Sequence, residues 1–191
     1  SEGEFIIDFM NAAGYDYAIL GNHEFDYGMD RLVELAEMAD FPYIDANIVY
    51  TGTKENKLDF LKPYVVHDFG DIKVGFVGAA TPLSIATSTP SYFQEDGEFV
   101  YGFGMGENGK ILYGMIQDAV DAAREEGADY VILLSHLGLK EDTDPYRSID
   151  VIENTHGIDA VLDGHSHSVI PSMMVPNDEG DLIPLSSTGT K

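Results

Sequence analysis

The order of apolar and polar positions predicts alternating helices and strands along the first fifty residues. Apolar side chains recur at helical spacing over residues 2–13, and Gly14 follows as a stop signal. A short apolar run at 17–20 indicates a buried strand, a second helical pattern covers 30–39, and residues 43–48 indicate another strand. This alternation is typical of an α/β protein built on a mostly parallel sheet.

A hairpin and a long excursion are predicted next. The apolar runs at 64–66 and 72–79 bracket Gly70-Asp71, which favours a tight reversal between two strands. Residues 80–109 are rich in Thr, Ser, Pro and Gly, which indicates a long surface excursion. Such loops in compact domains are usually functional or mobile.

Regular elements return in the second half of the chain. The clearest helical stripe covers 111–126 and is stopped by Gly127. The other expected elements are strands at 130–134 and 160–162, a short helix near 149–155, and β-like pieces at 173–175 and 182–185.

Composition indicates one globular α/β domain over the 191 residues, of which 44% are hydrophobic and 23% are charged. No apolar run approaches the roughly 18 residues of a membrane span, so we expect no transmembrane segment, and no signal-peptide pattern precedes the first helix. The chain has no Cys, which excludes disulfides and thiolate metal sites. Any metal ion must therefore be held by His, Asn or carboxylates.

The charge is strongly acidic, with 10 Lys and Arg against 34 Asp and Glu, a formal net charge of −24. Nucleic-acid polymers are bound through clustered cations, so we expect no such partner. Phosphate chemistry stays possible if bound metal ions supply the positive charge. Most of the acidity is interpreted as a solvated surface.

Three polar stretches follow predicted strands and carry four of the six histidines. They are Gly21–Gly28, Ser135–Gly138 and Asp163–Ser168. If the strands are parallel neighbours, these turns lie at one carboxyl edge of the sheet and their side chains converge. Imidazoles together with an amide oxygen suit a divalent transition metal. His165 and His167 point in different directions and could serve two neighbouring ions, ~3.5–4 Å apart in two-metal sites.

Each stretch also has a structural interpretation. A lone histidine at a strand end, such as His136, is often a hydrogen-bonded polar residue, and Asn22 could cap the following helix. Three histidine-bearing turns at strand ends are nevertheless poorly explained by capping. His67 and His156 lack this context and are interpreted as residues of the surface or of local structure.

In order and spacing, Gly-Asn-His-Glu-Phe-Asp (21–26), Ser-His-Leu-Gly (135–138) and Asp-Gly-His-Ser-His (163–167) resemble the later sequence blocks of the calcineurin-like metallophosphoesterases. The continuation through Gly28 and the run Asp45-Ala46-Asn47-Ile48 most resemble the 5′-nucleotidase branch, which includes the 2′,3′-cyclic-nucleotide phosphodiesterases. The resemblance covers nearly the whole chain. It implies the α/β sandwich of this superfamily, with mixed sheets flanked by helices.

The resemblance also implies roles by position. The implied metal ligands are Asn22, His136, His165 and His167. The first three match ligands of one divalent ion and the last matches a ligand of a second, with Zn, Mn, Co or Fe as candidates. His23 matches the catalytic histidine that contacts the phosphate and stabilises the leaving alkoxide, Asp26 matches its orienting carboxylate, and Asn22 with His23 form the implied substrate contacts. The implied reaction is hydrolysis of a phosphate ester, with small-molecule nucleotides as the leading substrates and no covalent enzyme intermediate.

Parts of the family pattern are missing from this sequence. The family has an Asp-x-His block and a metal-bridging Asp before Gly-Asn-His, and residues 1–20 contain neither. Asp163-Gly164-His165 has the letters of Asp-x-His but belongs to the last block. Gly70-Asp71 lies after Asn22 in the sequence, so it does not replace the bridging Asp. The family's second, nucleotide-binding domain is also not matched. We therefore expect residues 1–191 to be one catalytic-domain fragment, truncated at both ends, with little or no activity alone.

Three functions stay open at this point. The leading one is a bacterial nucleotidase or cyclic-nucleotide phosphodiesterase. A second is a relative that acts on another phosphoester or on a sulfur ester, and a third is a domain that keeps the fold for binding and does no chemistry. Export to the periplasm, cell surface or medium is expected from the resemblance alone.

Overall fold

A computed structural model describes residues 2–190 of the chain. The α-helices across these residues are α1 (Glu4–Ala13), α2 (Gly28–Met38), α3 (Ser84–Thr87), α4 (Lys110–Glu125) and α5 (Ser148–Glu153). The strands are β1 (Val49–Tyr50), β2 (Tyr64–Asp68), β3 (Lys73–Ala80), β4 (Gln94–Glu95), β5 (Glu98–Phe99), β6 (Tyr101–Gly102), β7 (Tyr130–His136), β8 (Ala160–Asp163), β9 (Val169–Pro176) and β10 (Leu182–Thr188). Short 3-10 helices cover Asn22–Phe25, Pro90–Phe93, Glu107–Gly109 and Glu141–Thr143.

Six strands form one mixed sheet in the order β2-β3-β7-β8-β10-β9. The central strands β3, β7, β8 and β10 are parallel, while β2 and β9 pair antiparallel at the two edges. The predicted hairpin is confirmed, with Tyr64 of β2 opposite Val77 of β3. The fold is therefore α/β, with a mixed sheet flanked by helices, as expected.

Helix α4 covers one face of this sheet because its apolar residues recur on a single stripe. Leu112, Ile116 and Val120 are fully buried there and join a core cluster with Val131 and Leu133 of β7. This packing holds the central strands in place, and their carboxyl ends carry two of the polar stretches.

The helices predicted from periodicity are confirmed with small shifts at their ends. Helix α2 begins at Gly28 instead of residue 30, and α4 runs one residue earlier than the predicted 111–126. Over residues 2–190, no helix has both the length and the apolar composition needed to cross a lipid bilayer.

Two predicted strands are not strands. The run at 17–20 forms a single bridge, between Ala18 and Tyr43, and the run at 43–48 continues with a single bridge between Ile44 and Lys62. Tyr43 pairs with Ala18 and the next residue, Ile44, pairs with Lys62, so neither run forms a continuous ladder of strand hydrogen bonds. The residues of both runs are buried or half-buried, and Leu20 and Ile44 are fully enclosed.

The prediction of a surface excursion over 80–109 is wrong for three of its aromatic residues, which are Phe93, Tyr101 and Phe103. Phe93 and Phe103 are fully buried and pack against Phe25 with ring centroids 5.1 and 5.7 Å away. These rings belong to a second core cluster, separate from the one under α4. The high content of Thr, Ser, Pro and Gly in residues 80–109 indicated a surface segment, so the composition did not predict its contribution to the core.

Candidate metal and catalytic site

The three polar stretches meet at the carboxyl edge of the sheet. His136 is the last residue of β7, His165 lies two residues beyond the end of β8, and Asn22 opens the 3-10 helix Asn22–Phe25. Strands β7 and β8 are parallel neighbours, so both histidines lie at the same edge, where open α/β sheets bind ligands.

The Asn22 side chain is the centre of this meeting point. Its Oδ1 lies 3.1 Å from His136 Nε2 and 3.1 Å from His165 Nδ1. Asn22 is only 6% exposed, and the two imidazole rings are 5.2 Å apart. The capping interpretation of Asn22 is wrong, because α2 follows Tyr27 and has no side-chain cap.

His23 lies on the outer side of the same turn. Its Nδ1 is 2.8 Å from Asp26 Oδ2, and the two side chains are 73% and 43% exposed. The bond to Asp26 fixes the ring and leaves Nε2 as the outward nitrogen. The structure shows the contact between His23 and Asp26, while the catalytic role of His23 and the orienting role of Asp26 stay predictions.

His165 and His167 both have left-handed backbone conformations, with φ of 71° and 55°. This region is uncommon for residues other than glycine and often marks a functional turn. The His167 side chain is exposed, and within residues 2–190 it makes no hydrogen bond. His167 therefore does not join His136 and His165 at Asn22.

Burial and neighbouring charge keep the two central imidazoles neutral. Burial, followed by the positive charge of His165, His23 and His167, lowers the pKa of His136 to about 4. Burial also lowers the pKa of His165, opposed by the charge of Asp163. Neutral imidazole is the form that binds metal ions, so both rings are ready to act as ligands at pH 7.

The convergent atoms fit one divalent ion. Nitrogen and oxygen ligands lie about 2.0–2.2 Å from zinc, so two ligand atoms of one ion are about 3–3.5 Å apart for angles between a right angle and the tetrahedral value. The separations of Asn22 Oδ1 from the two imidazole nitrogens match this spacing. Within residues 2–190, however, no three His, Asp or Glu side chains are grouped closely enough to hold a metal ion. The described residues therefore bring together two imidazoles and one amide oxygen, and His167 lies outside this set.

Two glycines flank the His136 ring. A Cβ at Gly21 would lie 2.9 Å from His136 Cε1 and Nε2, and one at Gly164 would lie 3.1 Å from His136 Nδ1. The imidazole therefore occupies space that only glycine leaves open on both sides. The sequence interpretation assigned no role to these glycines, although both lie inside the polar stretches.

The other histidines lie outside this site. His67 Nδ1 is 2.7 Å from the Tyr17 hydroxyl, and His156 Nδ1 is 3.2 Å from Asp178 Oδ2. The hydrogen bond to Asp178 raises the pKa of His156. Both are accounted for by local structure.

Comparison with known proteins agrees with these features. A family model described as "Bacterial capsule synthesis protein PGA_cap" matches residues 3–186. The trifunctional nucleotide phosphoesterase protein YfkN of Bacillus subtilis is 32% identical over 187 residues, which cover 87% of this chain and 11% of that protein. A 2′,3′-cyclic-nucleotide 2′-phosphodiesterase/3′-nucleotidase of Haemophilus influenzae is 31% identical over 184 residues, which cover 87% of this chain and 25% of that protein.

Solved structures have the same architecture. The calcineurin-like phosphoesterase YfkN of Bacillus subtilis superposes with a TM-score of 0.74 at 27% identity, over 97% of this chain and 57% of that one. The sulfate thiohydrolase SoxB of Thermus thermophilus superposes with a TM-score of 0.76 at 26% identity, over 100% of this chain and 30% of that one. The chain spans only 11% and 25% of the length of the two curated relatives. The chain belongs to the PGA_cap family, and it is similar to nucleotide phosphoesterases and to a calcineurin-like phosphoesterase structure.

Proposed function

We propose that the whole protein containing this chain hydrolyses phosphate esters with the help of divalent metal ions, and that nucleotides are its leading substrates. The relatives are nucleotide phosphoesterases by name, which supports the reaction class. The observation that carries the metal dependence is the approach of His136 Nε2 and His165 Nδ1 to Asn22 Oδ1, each at 3.1 Å. A buried amide oxygen between two neutral imidazoles is a donor set for Zn, Mn, Co or Fe.

In this proposal, metal binding and proton transfer to the leaving group are carried out by different residues. Asn22, His136 and His165 would hold one ion, which supplies Lewis acidity toward a phosphoryl oxygen when bound. His23 would contact the phosphate and hold a proton for the leaving oxygen at Nε2, since Asp26 occupies Nδ1. Its exposure leaves it accessible to a substrate, whereas Asn22 beside it is buried.

The second metal position belongs to the same proposal, with His167 as the one ligand from this chain. We propose that the whole protein supplies the Asp-x-His block and the bridging Asp, together with a separate domain that binds the nucleotide base. Without these groups, residues 1–191 have little or no hydrolase activity. The proposal also includes export of the whole protein.

The test compares the purified 191-residue chain with the whole protein on nucleoside monophosphates and cyclic nucleotides, with Mn²⁺ or Co²⁺ added. The whole protein is expected to turn over, to lose activity in chelator and to regain it with metal, while the chain alone shows little turnover. Robust metal-dependent turnover by the chain would show that the missing blocks are dispensable. Turnover by the whole protein that survives chelation would refute the metal dependence.

Hydrolysis of a sulfur ester, or of a different phosphoester, is the second candidate. The superposition on a sulfate thiohydrolase favours it, because that protein has the same fold and acts on a sulfur compound by name. A substrate panel that includes thiosulfonate esters separates it from nucleotide hydrolysis. A third function, binding without chemistry, would be favoured by a whole protein that holds metal yet turns over none of these substrates.

A further inference from the structure

A buried hydroxyl network lies directly beneath the two central histidines. Ser135 precedes His136 at the end of β7, Asp163 ends β8 two residues before His165, and Ser148 is the first residue of α5. Ser135 is 3% exposed, Ser148 is fully buried, and Oδ2 of Asp163 is enclosed as well. Burying polar groups costs free energy unless hydrogen bonds compensate for it, so the arrangement of the bonds is informative.

The direction of each bond follows from the number of protons available. The Ser148 hydroxyl donates to Asp163 Oδ1 over 2.7 Å. It has only one proton, so Ser135 must donate in the 2.6 Å contact between the two hydroxyls. Backbone N–H groups beyond β7 complete the network, because Leu137 donates to Ser135 Oγ and Gly138 donates to Asp163 Oδ1, each over 3.2 Å.

This network begins where the sheet stops joining the two strands. The last paired residues of β7 and β8 are Ser135 and Asp163, so His136 and His165 both lie past the end of the ladder. One backbone bond, from Gly164 N–H to Ser135 O at 3.0 Å, continues beyond that point. The bridge from Ser135 through Ser148 to Asp163 is one side-chain connection between the two strand ends, and Ser135 also interacts directly with the Asp163 carboxyl.

We infer that Ser148 is a positioning residue for the histidine site. Its hydroxyl holds the ends of β7 and β8 at the separation at which His136 and His165 both reach Asn22. The purpose of this arrangement rests on the proposed function, whereas the contacts that define it do not.

Removing the Ser148 hydroxyl has a specific consequence. Asp163 Oδ1 loses a donor and the Ser135 hydroxyl loses Ser148 as a partner, while Asp163 Oδ2 already has no partner within residues 2–190. Unpartnered buried polar groups are relieved by movement or by entry of water. Movement of Asp163 carries Gly164 and His165 with it, away from Asn22.

The experiment compares Ser148→Ala with Thr155→Val in the isotope-labelled 191-residue chain. Thr155 is a matched control because it is buried just after α5 and its hydroxyl donates to Val151 O over 2.7 Å, at the other end of the helix. The first measurement needs no metal and uses NMR to detect contacts between the His136 and His165 rings, whose centroids are 5.2 Å apart. The second is Co²⁺ affinity, followed by visible absorption.

Ser148→Ala is expected to weaken or abolish the ring-to-ring contact and to lower Co²⁺ affinity by about tenfold or more, as for loss of a group that supports metal ligands. Thr155→Val should change neither. If Ser148→Ala does not fold, Ser148→Cys gives the same test, because it keeps a small side chain but has only a weak S–H donor. A folded variant with an unchanged ring contact would overturn the inference. If the 191-residue chain takes up no Co²⁺, the affinity comparison is made in the whole protein, where failure to bind Co²⁺ would overturn the proposed function, and the ring contact still decides the role of Ser148.

Discussion

Gly21→Ala tests whether the space beside the His136 imidazole is required for the site. Gly21 has φ of −100°, which any residue adopts, so alanine brings no backbone strain. Its Cβ would lie 2.9 Å from Glu24 Oε2 and 2.9 Å from His136 Cε1 and Nε2, whereas carbon atoms in contact prefer about 3.5–4.0 Å. The ring must therefore move by roughly 0.5–1 Å, and overpacking that is not relieved costs about 1–3 kcal/mol.

The assay is an NMR titration of the His136 imidazole in the metal-free chain. Burial lowers the pKa of His136 to about 4, so a displaced and better hydrated ring should have a pKa that rises toward the ordinary value of about 6.5. Gly114→Ala is the control, because a Cβ there meets nothing within 4 Å, and alanine should stabilise α4 by up to about 1 kcal/mol. A Gly21→Ala chain that folds normally with an unchanged His136 titration would refute the reasoning.

Three further predictions follow from individual side chains. In the whole protein, His23→Ala should lower kcat by roughly 10²–10⁴ while metal content stays near normal, as for loss of a proton-transfer group. His165→Ala should instead remove metal first. Loss of metal from the His23 variant would show that His23 is a ligand. Burial raises the pKa of Asp45 to about 7, above its value of about 3.9 in an unfolded chain, so Asp45 stabilises the fold most below about pH 4 and this contribution is lost as pH rises toward 7. Urea unfolding between these pH values should therefore show less decline in stability for Asp45→Asn than for the unmodified chain, and equal slopes would argue against the shift. Phe103→Ala should lower the free energy of unfolding by about 3–5 kcal/mol, while the exposed Phe99→Ala should change it by less than about 0.5 kcal/mol; similar effects at both positions would contradict the burial of the 80–109 segment.

The sequence predicts well those features in which local pattern and tertiary environment agree. Helix α4 has an unbroken apolar stripe, and β7 is a run of β-branched and aliphatic residues that ends at Ser135-His136. The meeting of His136 and His165 follows from the same pattern, because they lie at and beyond the carboxyl ends of parallel strands, whereas Asn22 follows a run that is not a strand of the sheet. The contact between the two histidines was therefore predictable before any distance was known.

The features that were missed depend on packing between distant segments. Residues 17–20 have strand composition, yet Ala18 pairs only with Tyr43 before the partner changes. Phe93 and Phe103 lie in a segment whose composition indicates surface, and their burial depends on Phe25, far away in the sequence. Apolar periodicity does not report contacts of this kind.

Ser148 is a harder case, because its neighbours in the sequence include no metal-binding motif. Its importance lies in contacts with Ser135 and Asp163, which are 13 and 15 positions away. A serine at the start of a helix is ordinarily interpreted as a cap, and nothing in the sequence distinguishes this one. Gly21 and Gly164 did carry a signal, since each lies inside a polar stretch next to or near a proposed ligand.

The central claim is that Asn22, His136 and His165 share one metal ion. Anomalous diffraction from crystals of the whole protein grown with Mn²⁺ tests it most directly, because the signal locates the ion independently of activity. The account predicts an anomalous peak within bonding distance of Asn22 Oδ1, His136 Nε2 and His165 Nδ1. A fully occupied ion bound elsewhere, with these three side chains hydrogen-bonded only to one another, would contradict it.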